Sequence, residues 1–372
     1  MSALYIHIPF CKHKCHYCNF FSTVSLKNKP EIVDAIITEI EQKKNYLDSN
    51  ILQSIYFGGG TPSILSENDI QSIFTKIHEI FIVSRNCEIT FEANPDDISH
   101  EKLRLFKKLG INRLSIGIQS FNNDILKQLN RSHSSEDAIN SVLLSKEYGF
   151  DNLNIDLIYG IPGLSDDIWK RELDKFLSFD IPHLSAYALT VEPKTALNVL
   201  ISKNKYPSID EDTVISHFNY LIEFLNLNNY NQYEISNFSK LGMESKHNSN
   251  YWKNKSYLGI GPSANSFNIK SRQWNHSSIK LYLDNINKGI DYEAKELLSI
   301  NDRFNEYLML GLRTSWGINV EIIKNTFGLD YKNHLMKYID KNSNYFLIDK
   351  NIIVLTSSYR MLADRIAIEL FI

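Results

Sequence analysis

YIHIPFCKHKCHYCNFF, residues 5–21, holds three of the four cysteines of this 372-residue chain, at Cys11, Cys15 and Cys18. Their spacing is C-x3-C-x2-C, and an apolar run over residues 4–10 leads straight into it. That run predicts a strand, so the cysteines occupy the loop at its C-terminal end. Three thiolates on one tight loop can wrap one face of a cubane cluster. A cube has four irons, so one iron is left open to hold a small molecule. A structural Cys3His zinc site, with His7, His13 or His16 as fourth ligand, is the competing chemistry. The remaining cysteine, Cys87, lies in the apolar stretch CEITFEANP and reads as a buried small hydrophobe.

Composition argues against a disulfide framework. The chain is 43% hydrophobic and 22% charged, with a net charge of -3. It can bury a substantial core. It contains no uninterrupted apolar run of membrane-spanning length. Its N-terminus lacks the basic start, apolar stretch and cleavage site of a signal peptide. We therefore expect a cytoplasmic protein, where thiols stay reduced and serve metals or catalysis. The slightly acidic balance gives no general electrostatic footprint for nucleic acid.

Outward from the cysteine loop, short apolar runs alternate with longer amphipathic ones. Strands are predicted over 4–10, 54–63, 88–95, 113–120, 152–162 and 183–193, with helices over 31–47, 66–81, 99–109, 122–148 and 166–178. Pro30 stands where the first helix starts, and Ser66 with Asp69 opens the second in capping-box style. Six strands alternating with helices predict an α/β protein with a parallel sheet and right-handed crossovers. The strand runs look nearly continuous in apolar character, which predicts a sheet covered on both faces. Polar and glycine residues recur at their C-terminal ends: Cys11, residues 58–61, Glu92, Gln119, Asp156 and Tyr187. In a barrel or open α/β sheet that edge carries the ligand.

After Pro193 the rhythm changes. A helix is expected over about 210–228, then YNQYEISNFS and the HNSNYW stretch, residues 247–252. From about Asp302 the chain reads as a small helical unit that ends in a hairpin, with DKN at its turn, and a last helix. This is a winged-helix-like α+β unit. The expected division is 1–235 for the barrel with its cluster loop, 236–300 for a connecting region, and 301–372 for the C-terminal unit.

C-x3-C-x2-C after a first strand resembles the pattern of radical S-adenosylmethionine (SAM) proteins. GGGTP, residues 58–62, follows the second strand, where those proteins place a glycine turn. In order along the chain, YIHIPFC, GGGTPS, EANP, GIQSF, Arg131 and IDLIYGIPG are similar to the oxygen-independent coproporphyrinogen III oxidase family. The likeness spans nearly the whole chain. It implies a partial (β/α)6 barrel with a [4Fe–4S] cluster on Cys11, Cys15 and Cys18. It implies SAM on the open iron, and a low-potential electron donor if SAM is cleaved. It points to Tyr5, Tyr17, Gly59, Gly60, Thr61, Glu92, Gln119, Arg131 and Asp156 as SAM contacts. Their chemistry agrees: carboxylates accept from ribose hydroxyls or an ammonium group, and an arginine grips a carboxylate. For any one of them a structural ion pair or cap is the plainer reading.

Two departures separate this chain from the oxidases. They carry a fourth cysteine two residues after the third, where this chain has Phe20, and an N-terminal extension for which four residues before Tyr5 leave no room. Both departures match the heme-chaperone branch of the same family. So does HNSNYW, which fits that branch's H-N-x-x-Y signature at His247, Asn248 and Tyr251. The signature is linked to heme binding, which makes His247 the expected axial ligand. Neutral imidazole ligates heme iron well, and neighbouring aromatics can pack on a porphyrin face. A hydrogen-bonded structural histidine is the other reading of the same residues. The resemblance implies a protein that binds heme and hands it to acceptors, membrane-bound respiratory proteins among them, at the inner face of the membrane. The alternatives are an enzyme of porphyrin biosynthesis, a radical methyltransferase, a nucleic-acid-modifying protein suggested by the C-terminal unit, or a plain zinc module.

Overall fold

The computed structural model describes residues 2–290 and 294–372. Six strands, β1 (Ser2–Ile8), β2 (Ile51–Gly59), β3 (Ile82–Ala93), β4 (Arg113–Gln119), β5 (Asn152–Tyr159) and β6 (His183–Ala188), pair in chain order, all parallel. An antiparallel hairpin, β7 (Asn231–Glu234) and β8 (Asn237–Ser239), adds to β6. At the other edge β9 (Tyr257–Ile260) joins β1 in parallel, and β10 (Asn265–Phe267), β11 (Ser271–Trp274) and β12 (Ala294–Leu297) continue antiparallel. Among the described residues the result is one open twelve-stranded sheet whose parallel centre is the partial (β/α)6 barrel.

Local chemistry explains the crossovers. Ser66, Ser99, Ser134 and Ser165 each accept a hydrogen bond from the backbone N–H three residues on, and Asp69 and Asp137 return the bond as capping boxes. The helix Lys29–Gln42 has no side-chain cap and starts instead on Pro30, whose missing N–H costs nothing in a first turn. Ile36, Ile73, Phe106, Val142 and Phe176 on these helices pack with Ile6, Phe57, Phe91, Leu114 and Ile155 on the strands into one continuous core. Each such side chain contributes about 1.5–3 kcal/mol on burial.

The second face of the sheet is not apolar. Tyr5, Tyr56, Thr90 and Arg113 align across neighbouring strands, as do Glu92, Ser115, Asn154 and His183. These residues alternate with the outward Leu4, Ile55, Ile89 and Leu114, so the expectation of two apolar faces fails for the inner one. The sheet curls around that face, and several of its polar groups bond one another, while Thr90 Oγ1 and Arg113 Nε are buried without a partner. Asn154 accepts from Ser185 and shares a 2.6 Å hydrogen bond with His183 Nδ1, whose Nε2 is 2.8 Å from the Tyr233 hydroxyl. A bonded polar network such as Ser185, Asn154, His183 and Tyr233 form favours one arrangement of the barrel.

The C-terminal unit has its own core around Phe304, Leu308, Leu312, Ile323, Leu335 and Ile353. Strands β13 (Ile318–Asn319), β14 (Phe346–Asp349) and β15 (Ile352–Leu355) form its antiparallel sheet beside the helices Ile300–Leu312 and Leu329–Lys341. Lys350 takes a left-handed φ of 55° in the tight turn between β14 and β15. The unit is tied to the barrel: Ser315 N donates to Tyr233 O at 3.0 Å, and Arg360 Nη1 to Gln232 Oε1 at 2.7 Å. No described helix is long and apolar enough to cross a membrane.

Candidate cluster and cofactor site

The C-terminal ends of the six parallel strands surround one cavity of about 700 Å³. Cys11, Cys15, Cys18, Tyr17, Gly59, Gly60, Thr61, Glu92, Gln119, Arg131 and Asp156 all line it. Tyr5, His247, Asn248 and Tyr251 do not. Tyr5 points into the barrel below the cavity, where its hydroxyl is 3.0 Å from His7 Nδ1.

The cysteine loop is held at both ends and across the barrel. Cys11 N donates to Thr23 O at 3.0 Å, and Thr23 N to Pro9 O at 2.7 Å. From the far side His16 N reaches Leu129 O at 3.2 Å, and Asn130 Nδ2 reaches Lys14 O at 2.8 Å. All three thiols are free and half-buried. Among the described residues no three of His, Cys, Asp and Glu are grouped to hold a single metal ion. A cluster takes each thiolate on a different iron, so it needs no such tight group, whereas a closed Cys3His zinc site does.

The glycines of GGGTP answer to this loop. Gly59 has a φ of 105°, and a Cβ there would lie 2.5 Å from the His7 ring. A Cβ on Gly60 would lie 2.6 Å from the Phe10 carbonyl oxygen. Gly60 N and Thr61 N donate to Ile8 O and Phe10 O at 2.8 and 2.7 Å. Backbone thus meets backbone where a side chain would intrude.

Around the cavity wall, Glu92 accepts from the Tyr56 hydroxyl at 2.7 Å and from Gly59 N at 3.2 Å. Burial, with the charge of Asp156 adding to it, pushes the Glu92 carboxyl up to about 7. Burial raises Asp156 as well, against the hydrogen bond from Asn154 Nδ2 at 2.7 Å. Two carboxyls disfavoured as anions and facing one cavity suit a ligand rich in hydroxyl or cationic donors. Arg131 donates to Cys15 Sγ at 3.3 Å, to Asn94 Oδ1 at 2.8 Å and to Gly117 O at 2.6 Å. Its buried Nε has no acceptor, an open demand for negative charge beside the cysteine loop. Gln119 stands in the left-handed region at φ 71°, where a non-glycine residue stores roughly 1–3 kcal/mol of strain and marks a functional position.

The sequence reading missed several residues here. Tyr56, Ser115 and Asn154 shape the site from alternate strand positions, a period-two signal present in the sequence, and Asn94 does so from the turn just after β3. Ile235, Arg313, Met361 and Asp364 close the cavity from the far end of the chain, and no sequence signal announces them.

The HNSNYW stretch lies elsewhere, on the helix Lys246–Trp252. Glu88 on β3 caps that helix, accepting from Lys246 N and His247 N at 3.0 Å each. His247 is 1% exposed. Its Nδ1 is 2.9 Å from Ser54 Oγ, its Nε2 is 2.8 Å from the Tyr251 hydroxyl, and its ring lies 4.9 Å from that of Tyr56. Burial drives its pKa down to about 3, so the imidazole is neutral. Asn248 N donates to Ser245 Oγ at 3.3 Å within the same helix start. Both ring nitrogens of His247 are taken, so axial ligation by this residue requires the Tyr251 or Ser54 contact to break.

An open six-stranded α/β barrel with three cysteines in C-x3-C-x2-C spacing at its ligand edge defines a radical SAM protein. Residues 5–176 match the Radical SAM superfamily. The chain belongs to the HemW family within it. It is 35% identical over 88% of its length to heme chaperone HemW of Bacillus subtilis, covering 87% of that protein. It is 34% identical over 70% of its length to heme chaperone HemW of Escherichia coli strain K12, covering 68% of that one. Its fold matches coproporphyrinogen III oxidase (HemN) of Escherichia coli, a radical SAM enzyme, with a TM-score of 0.86 at 22% identity over 100% of this chain and 90% of the other. The family carries a [4Fe–4S] cluster and SAM, and the residues fit both. Three free thiols line the cavity, a buried arginine Nε lacks an acceptor, and two carboxyls that burial disfavours as anions face the same space.

Proposed function

We propose that this protein binds heme and transfers it to acceptor proteins. The observation that carries the reading is its likeness over most of its length to proteins named heme chaperone HemW. In this reading Cys11, Cys15 and Cys18 hold the cluster. Gly60 and Thr61 shape the SAM pocket, Glu92 and Asp156 accept from the ribose or the ammonium group, and Arg131 and Gln119 orient the carboxylate end. Tyr17 packs beside the adenine. When bound, the cluster supplies a low-potential electron that can cleave the sulfonium of SAM, which requires an external low-potential donor. The chain's own contribution is positioning: the inner polar network holds Glu92 through Tyr56, and the C-terminal unit covers one side of the cavity. The acceptors we favour are membrane-bound respiratory proteins, met by a cytoplasmic protein at the inner face of the membrane. An anaerobic heme titration of cluster-loaded protein, followed at the Soret band, tests the reading. Saturable one-to-one binding, with transfer to an apo-cytochrome, is expected; its absence removes the chaperone role.

A second reading, oxidative decarboxylation of coproporphyrinogen III, draws on the fold shared with HemN. Phe20, in place of a fourth cysteine, speaks against it. Turnover yielding 5′-deoxyadenosine and a decarboxylated porphyrinogen would establish it.

A further inference from the structure

We propose that heme docks at the mouth of the cavity, with His13 as its axial ligand. This rests on the heme-chaperone reading and assigns it a site. His13 lies between Cys11 and Cys15, is exposed, and lines the cavity. Among the described histidines it alone does so, and it makes no hydrogen bond, ion pair or ring contact there. Its ring nitrogens are therefore open to a metal, whereas both nitrogens of His247 are engaged.

The surroundings suit a flat apolar ligand with acidic edges. Phe20 from the cysteine loop is 64% exposed and Met361 from the C-terminal unit 39%, and both line this cavity. Leu189 and Ile235 continue the apolar wall inward. Exposed apolar side chains gathered from distant segments at one opening mark a binding surface. Lys14 supplies the charge for a propionate: its Nζ donates only to Phe20 O at 3.1 Å and Ser22 Oγ at 2.8 Å, and meets no carboxylate among the described residues. Glu92, Asp156 and Arg131 line the same cavity, and in this proposal SAM takes their end of it and heme the end at His13 and Phe20.

The test is an anaerobic heme titration of cluster-loaded wild type, His13→Ala, His247→Ala and Met361→Glu, with iron and sulfide content measured for each. His13→Ala should weaken heme binding at least about tenfold and change the Soret band, and added imidazole should restore the wild-type spectrum. Met361→Glu, far from the cysteines in sequence, should weaken binding with the cluster intact. His247→Ala should lower the melting temperature and leave the heme spectrum unchanged. Absence of saturable binding by wild type removes the chaperone reading itself. Saturable binding that neither His13→Ala nor Met361→Glu alters, whether or not His247→Ala abolishes it, overturns the mouth site and leaves the chaperone reading standing. If His13→Ala fails to hold its cluster, Met361→Glu alone decides.

Discussion

Glu92→Gln should move stability and SAM affinity in opposite directions. The Glu92 carboxyl is raised from 4.5 to about 7 by burial, with Asp156 adding to the effect. The unfolded chain keeps the ordinary value. Between about pH 4.5 and 7 the folded protein therefore holds a proton that the unfolded chain has lost. Stability falls as pH rises through that window, and the loss is complete above about 7. A rise of about 2.5 in pKa, at about 1.4 kcal/mol each, corresponds to about 3 kcal/mol. Glutamine cannot ionise. Its amide oxygen can accept from Gly59 N–H, and its amino group can donate to the Tyr56 oxygen. Without SAM, the variant should be more stable than wild type near pH 8 by up to about 3 kcal/mol, roughly 4 °C in Tm for a chain of this size. Near pH 5 the two should melt together. SAM affinity should fall in the variant, and in wild type it should weaken as pH drops below about 7, where the carboxylate is lost. Thermal melts from pH 5 to 8 and calorimetric SAM titrations measure both. A variant that gains no stability over wild type as pH rises, or one that binds SAM equally well, would refute the assignment of a strained carboxylate.

Three further outcomes follow from the geometry. Cys15→Ala removes one thiolate and the sulfur that accepts from Arg131, so iron and sulfide content should collapse while far-ultraviolet circular dichroism stays unchanged. Wild type isolated anaerobically with zinc and no iron would instead revive the Cys3His site. Gly60→Ala drives a Cβ to within 2.6 Å of Phe10 O and 2.8 Å of Ile8 O, backbone atoms that cannot swing aside; the cysteine loop should shift and cluster retention should drop in an otherwise folded protein. His247→Ala empties a buried ring position and leaves Ser54 Oγ and the Tyr251 hydroxyl without their shared partner, which should cost about 2–4 kcal/mol in a denaturant titration.

Much of the barrel was legible because its signals are local. Ser66 and Asp69 are three residues apart, and the capping box they form is seen in the structure. The helix expected over 166–178 is the helix Asp166–Ser178. The cysteine spacing needs one loop and nothing else. The inner face of the sheet was readable too, from alternation such as RLSIGIQ, yet the apolar half of each strand masked it. The strand over 183–193 ends earlier, at Ala188, where its parallel pairing with β5 runs out at Tyr159.

The sequence by itself determined the cluster chemistry, the six-fold alternation and the family, since each is written in short motifs whose spacing is set by one loop or one turn. Only the tertiary structure decided what surrounds them. Ser54, the partner of His247, lies 193 residues away in the chain, and Glu88, which caps its helix, lies 159 away. Met361 reaches the same cavity as Cys11 from the opposite end of the protein. A side chain's type limits what it can bind, but burial and neighbours decide whether it is free to do so. The fold engages both nitrogens of the imidazole in HNSNYW inside the barrel and leaves the imidazole of CKHKC open at its mouth.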